Sequence, residues 1–286
     1  MEKQKIYYLD NASGAQMSNE AYREMIDAYG SLYANPECIY KAGRDASDAI
    51  LRAKEKVAKA IGATADEIIL TSGQAESNNL AIKGIARANR KKGNHIITSV
   101  IEDESVLDSC RALEKEGFVV TYIPVDENGS IKYSEVVKAI GPNTILITIS
   151  VANAEVGTIQ PIRAIAELAK ANEVVFHTDA THAIGMIDLS VKEIGVDALS
   201  LSAHLFGGPM GVGALYVKKG TAIQKLIDGK TSEDAFRAGE LDVPAIVAMG
   251  KAIEEVTENV EERSKYLRSI RRYFLKKASE AIHNIE

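Results

Sequence analysis

Three short stretches of this 286-residue chain gather residue types that can do chemistry. The first, Ser72-Gly73-Gln74-Ala75-Glu76-Ser77, follows an apolar run and opens a helical pattern. Backbone N–H groups at such a helix start can hold an anion such as a phosphate. Many ordinary α/β connections also contain Gly and Ser, so by itself this turn reads either way. The second, His177-Thr178-Asp179-Ala180-Thr181-His182, closes another apolar run with a carboxylate. A carboxylate at a strand end is placed to pair with a buried cationic nitrogen, for instance a pyridinium. The third runs from Leu199 to Gly211 and carries Ser202 and His204 into a glycine-rich loop. Thiol chemistry has less to work with. Cys38 and Cys110 are the only cysteines and form no C-x-x-C pair, which points to a reduced, cytoplasmic setting.

These stretches need a scaffold, and the periodicity supplies one. Short apolar, β-branched runs at Ile68–Thr71, His95–Ser99, Val119–Ile123, Thr144–Ser150, Val174–Thr178, Ala198–Ser202 and Ala214–Val217 predict strands buried on both faces of a sheet. The first six start about 24 to 30 residues apart, roughly one βαβ unit. Amphipathic stretches at Ala46–Ile61, Ser77–Lys91, Ser105–Lys115 and Pro161–Ala171 supply covering helices. The expected fold is α/β: a mainly parallel seven-stranded sheet between helices, with a long C-terminal helix. The link between the last two strands is too short for a helical crossover. It predicts a hairpin through Gly207, Gly208, Gly211 and Gly213, adding one antiparallel strand. From Pro244 to Glu286 the pattern reads as one long helix or two in tandem, with Ile253, Val256, Val260, Leu267, Ile270 and Phe274 on a stripe that is expected to pack along the domain, a coiled-coil partner helix being the alternative.

Composition removes several classes of function. Lys+Arg at 34 against Asp+Glu at 40 leaves a net charge of −6, without the overall basic balance that draws nucleic acid or an anionic membrane. The basic clusters Arg87, Arg90, Lys91, Lys92 and Arg268, Arg271, Arg272, Lys276, Lys277 read as solvated helix faces. No apolar run reaches 18 residues, and the N-terminus has no signal-peptide core. The expectation is no nucleic-acid and no membrane partner.

Further motifs join the three stretches in order along nearly the whole chain. They are Tyr8-Leu9-Asp10-Asn11-Ala12, Asn35-Pro36, Thr71-Ser72-Gly73 with Glu76-Ser77-Asn78-Asn79, and Asn153 with Glu155 and Gly157. His177 to Ala180, Ser202, His204, Gly211-Val212-Gly213 and Arg237-Ala238-Gly239 complete the series. Together they resemble the cysteine desulfurases within the class V aminotransferase group of pyridoxal-phosphate enzymes.

The resemblance implies a fold-type-I large domain and a pyridoxal-phosphate cleft. By position the cofactor-binding set is Gly73, Gln74, Ala75, Asp103, Asp179, His182, Ser202 and His204. It also implies a Schiff-base lysine directly after the Ser-x-His motif, where this sequence has Leu205. Asp103 stands where the family has a ring-stacking histidine, Ala154 where it has an asparagine at the ring hydroxyl, and His182 where it has a ring-contacting glutamine. Ala75 replaces a phosphate-binding threonine, and Met210 occupies another place where relatives often carry a lysine. Glu240 replaces a threonine that reaches the partner subunit's cofactor phosphate, and a carboxylate there repels a phosphate.

The expectation is therefore no catalytic residue and at most weak, non-covalent cofactor binding. The domain reading is a desulfurase-like large domain over 1–250. Residues 251–286 then form a long helix leading to a small domain, with its catalytic cysteine loop, that is absent. Three functions follow: a catalytically degenerate partner or scaffold in sulfur transfer; a working enzyme that binds cofactor non-covalently or is completed by a separate C-terminal polypeptide; or a cleft repurposed for metal-dependent chemistry. The last draws on Asp103, Asp179, His182, His204 and Glu155, but five histidines scattered through the sequence do not make a cluster, and no metal ligands are assigned. The implied partners are a second copy or a paralogue in a dimer, and a sulfur-transfer or iron-sulfur assembly protein.

Overall fold

The computed structural model describes residues 7–229, 231–233 and 236–283. The apolar runs form β1 (Ile68–Thr71), β2 (His95–Ser99), β3 (Val119–Ile123), β4 (Thr144–Thr148), β5 (Val175–Asp179), β6 (Ala198–Ser202) and β7 (Gly213–Val217). They build one seven-stranded sheet in the order β1-β7-β6-β5-β4-β2-β3. β2 to β6 pair in parallel along it, and only β7 is reversed, antiparallel to both β6 and β1. Every residue of β1, β4, β6 and β7 is buried, which is why β1, β4 and β7 read as nearly continuous apolar runs, while β6 also buries Ser200 and Ser202. At the edge, β3 is more exposed. A two-stranded ribbon, β8 (Thr231–Glu233) with β9 (Arg237–Ala238), lies outside this sheet.

The helices are α1 (Asn19–Ser31), α2 (Lys41–Ile61), α3 (Gln74–Ala88), α4 (Glu104–Lys115), α5 (Tyr133–Ala139), α6 (Ile162–Ala171), α7 (Val191–Ile194), α8 (Val243–Glu258) and α9 (Val260–Ala281). They cover both faces of the sheet, and a core lies on each side. One joins α2, α6 and α8 to the sheet through residues such as Val57, Ile165 and Ile253; the other joins α3 and α4 through Ile82, Ile85 and Val106.

Several boundaries differ from the sequence expectation, each for a local reason. β4 stops at Thr148 rather than Ser150, because Ser150 N–H turns to donate to a Glu102 carboxylate oxygen. β5 starts at Val175 rather than Val174, whose N–H closes the end of α6 on Ala169. α3 begins at Gln74 rather than Ser77, because Ser77 N–H donates to the Gly73 carbonyl and draws Gln74, Ala75 and Glu76 into the first turn. It ends three residues early, where the Asn89 amide folds back on the Ile85 carbonyl.

The C-terminal stretch is two helices. α8 starts on an Asp242 cap, with Pro244 in its first turn, and buries Ile246, Met249, Ile253 and Val256. The expected 250/251 division falls inside it. α9 buries none of its residues. Packing along the domain therefore holds for Ile253 and Val256 and fails for Leu267, Ile270 and Phe274, which are 39%, 45% and 64% exposed. The apolar stripe on α9 is present, but no part of the described chain lies beneath it.

Candidate functional site

A parallel sheet brings its strand ends to one edge, and there β1, β2, β4, β5 and β6 deliver the residues singled out above. Asp179, the last residue of β5, is buried. Its Oδ1 accepts from Thr181 N–H at 2.9 Å and Thr181 Oγ1 at 2.7 Å. Its Oδ2 accepts from Gln74 Nε2 at 2.9 Å and Asn78 Nδ2 at 2.7 Å. Gln74 and Asn78 are four residues apart on α3 and so share one face of it. An ionised carboxylate offers about four lone-pair sites, and this one receives four donors from its own chain.

The network continues sideways. Asn78 Nδ2 also donates to Ser105 Oγ, which in turn donates to Asp103 Oδ1 at 2.5 Å. The same Asp103 oxygen accepts from Ser105 N–H, so Asp103 is the N-cap of α4 and its carboxylate is engaged there. Asn78 Oδ1 is buried without a hydrogen-bond partner.

The turn after β1 sits tightly on β6. Gly73 has φ +137°, and a Cβ there would come within 3.2 Å of Ser202 Oγ. A Cβ on Gly213 would meet the Leu201 carbonyl oxygen at 2.6 Å and Gly73 Cα at 2.7 Å. Ser202 Oγ shares a 2.9 Å hydrogen bond with His204 Nδ1. Burial, reinforced by the neighbouring His182, holds the His204 imidazole below its ordinary range. Leu205 follows, buried and apolar, in the wall of a cleft of about 340 Å³ that also contains Asn11, Asn153, Ala154, His182 and Met186.

Two carboxylates frame this region. Glu102 is buried, accepting from Ser99 Oγ at 2.5 Å and Ser150 N–H at 2.8 Å. Burial, with a small contribution from Asp179, pushes it up to about 7 against the pull of those two bonds. Burial also pushes Glu76 upward, but hydrogen bonds from Ser72 and the Arg237 guanidinium outweigh it, and the group lies below its usual range. Arg237 Nε is 3.1 Å from Glu76 Oε1, and both side chains are largely buried. The same guanidinium donates to the Glu240 backbone carbonyl at 3.3 Å.

The structure joins Gln74 to Asp179, sets Gly73 against Ser202, and pairs Ser202 with His204. Asp103 reaches the group only through Ser105 and Asn78, and Ala75 is exposed in the first turn of α3. His177 lies deeper, between Thr148 Oγ1 and Ser200 Oγ, where burial lowers its pKa to about 3. Asn78, Thr181, Ser105 and Glu102 were not anticipated as site residues. The i, i+4 spacing of Gln74 and Asn78 was the available signal. Among the described residues, no group of three or more His, Cys, Asp or Glu side chains is gathered in a way that could hold a metal. Burial pushes the Cys110 thiol up to about 12, which leaves it unreactive. Of the first basic cluster, Arg87 pairs with Glu116 and Arg90 lies over the Phe118 ring. No described helix is long and apolar enough to cross a membrane.

Known proteins resemble this chain in sequence and fold. The family model described as "Aminotransferase class-V" matches residues 7–285. The chain is 46% identical to a cysteine desulfurase IscS of Dictyoglomus turgidum, over 97% of this chain and 71% of that protein. It is 48% identical to one of Methanosarcina thermophila, over 93% of this chain and 66% of that protein. The chain thus spans about two thirds of the length of such relatives. Among solved structures, a NifS-like protein superposes with a TM-score of 0.92 at 37% identity, covering 94% of this chain and 74% of that one.

Proposed function

This chain belongs to the aminotransferase class-V family and is cysteine desulfurase-like, and from that premise we propose that it does not run the desulfurase reaction itself but acts as a partner or scaffold in sulfur transfer. The family implies pyridoxal phosphate as cofactor, and the residues present do not fit it. The observation that carries the reading is Leu205. The position directly after Ser202-Ala203-His204 has no amine, and a buried hydrocarbon side chain forms the cleft wall there. Two further observations support it. All four acceptor sites of the Asp179 carboxylate are taken by the chain's own donors. Asp103, at the ring-stacking position, is a helix cap that can neither stack as an imidazole nor shuttle a proton as one. Any residual cofactor binding is weak and non-covalent.

The reading extends to assembly. The chain associates with a second copy or a paralogue, and its client is a sulfur-transfer or iron-sulfur assembly protein, in the cytoplasm. An exposed aromatic and apolar band on and after α1, from Tyr22 and Ile26 to Tyr29 and Tyr33, supports association.

An absorption spectrum tests the reading. Purified protein is incubated with pyridoxal phosphate, desalted and scanned. The expected result is no retained visible band. A stoichiometric band that borohydride fixes to the chain overturns the proposal.

A further inference from the structure

We propose that the Gln74 side chain is an internal substitute for the cationic ring nitrogen of a pyridinium cofactor, occupying Asp179 so that the cleft takes such a ligand only weakly even if an amine is supplied at position 205. The inference rests on the degenerate reading above and extends it to a second residue. Asp179 needs donors because it is a buried carboxylate at a strand end, and a buried charge without partners is costly. Thr181 supplies two donors from the adjoining backbone and hydroxyl, and Asn78 supplies a third from within α3. The fourth comes from Gln74 Nε2, 105 residues away in sequence. Because an ionised carboxylate only accepts, the nitrogen end of each amide must face it.

The four donors differ in how readily they can withdraw. Asn78 and Thr181 are buried, and Asn78 is also tied to Ser105. Gln74 is half-buried in the first turn of its helix, and its amide has Asp179 as its partner. A cationic nitrogen approaching Asp179 must therefore displace Gln74. The side chain that stabilises the cofactor-free protein is the one that competes with the ligand.

Pyridoxal phosphate itself is the probe, titrated into wild type, L205K, L205K/Q74A and L205K/Q74M and followed by visible absorbance. Q74M keeps the length of the side chain and removes its donor, which guards against a misfolded alanine variant. The expected result is weak binding by L205K and about ten- to a hundredfold tighter binding once the Gln74 donor is removed, the size of a hydrogen bond to a charged group. Urea unfolding of Q74M without cofactor should show lower stability than wild type. Equal affinity of L205K and both double variants, including no binding by any of them, overturns the role of Gln74. Colour retained by wild type would instead defeat the degenerate reading, so the two failures are distinct.

Discussion

Burial raises the Glu102 carboxyl to about 7 and lowers the His177 imidazole to about 3, so the two residues pull stability in opposite directions with pH. Between pH 4.5 and about 7 the folded chain keeps a proton on Glu102 that the unfolded chain releases, and stability contributed by this group falls as pH rises. Between about 3 and 6.5 the unfolded chain protonates His177 while the folded chain does not, so its contribution falls as pH drops. The windows overlap from 4.5 to 6.5, where the two slopes cancel. Glu102→Gln mimics the protonated form, since its oxygen still accepts from Ser150 N–H. It should stabilise the protein at pH 8 by roughly 2–3 kcal/mol, and unfolding at pH 5 and pH 8 should expose the uncompensated His177 slope. A variant no more stable than wild type at pH 8 would show that Glu102 is ionised at no cost in the fold. The Gln74 plug belongs to this scale too. Its position was legible in the sequence as part of an anion-binding turn, but the reach of its side chain to Asp179 depends on how α3 crosses the sheet.

At the scale of elements, the turn after β1 is held by two glycines back to back. Gly213→Ala would drive a methyl group into the Leu201 carbonyl and Gly73 Cα, with no flexible side chain to yield. Urea unfolding should show a loss of about 1–3 kcal/mol, together with weakened protection of the β1 and β7 amides in hydrogen exchange. Most strands match their expected bounds almost residue for residue, because burial on both faces makes β1, β4 and β7 nearly continuous apolar runs. α1 was missed for the converse reason: only Ala21 and Ala28 are buried along it, too little for an apolar stripe, although Ser18 accepting from Ala21 N–H caps its start. α9 misled the reading in the opposite way, since its stripe predicted a packing surface that the described chain does not provide. The helices α8 and α9 should accordingly respond differently to substitution. Ile253→Ala should cost about 2–5 kcal/mol, whereas Phe274→Glu should change unfolding free energy by less than about 0.5 kcal/mol. A large loss from Phe274→Glu would mean that α9 docks on a surface in solution.

The whole molecule keeps the architecture of its family while its cleft departs from it. The fold superposes on that of a NifS-like protein with a TM-score of 0.92, so Leu205, Asp103 and Ala75, which differ from the residues that the family resemblance implies, sit in an intact frame. The motifs gave the family and the position of the cleft. They could not give the four-donor closure of Asp179, which joins β5, α3 and the turn after β5 only in three dimensions. On this account the fold persists for association, and sedimentation at micromolar concentration should find a dimer; a strict monomer would contradict that part of it. The most direct test of the central claim is sulfide release from free cysteine by this chain in the presence of pyridoxal phosphate. Without an amine to take up and hand over the cofactor, or to move protons afterwards, the rate should equal that of pyridoxal phosphate alone. Sulfide released faster than that by the purified chain would contradict the account.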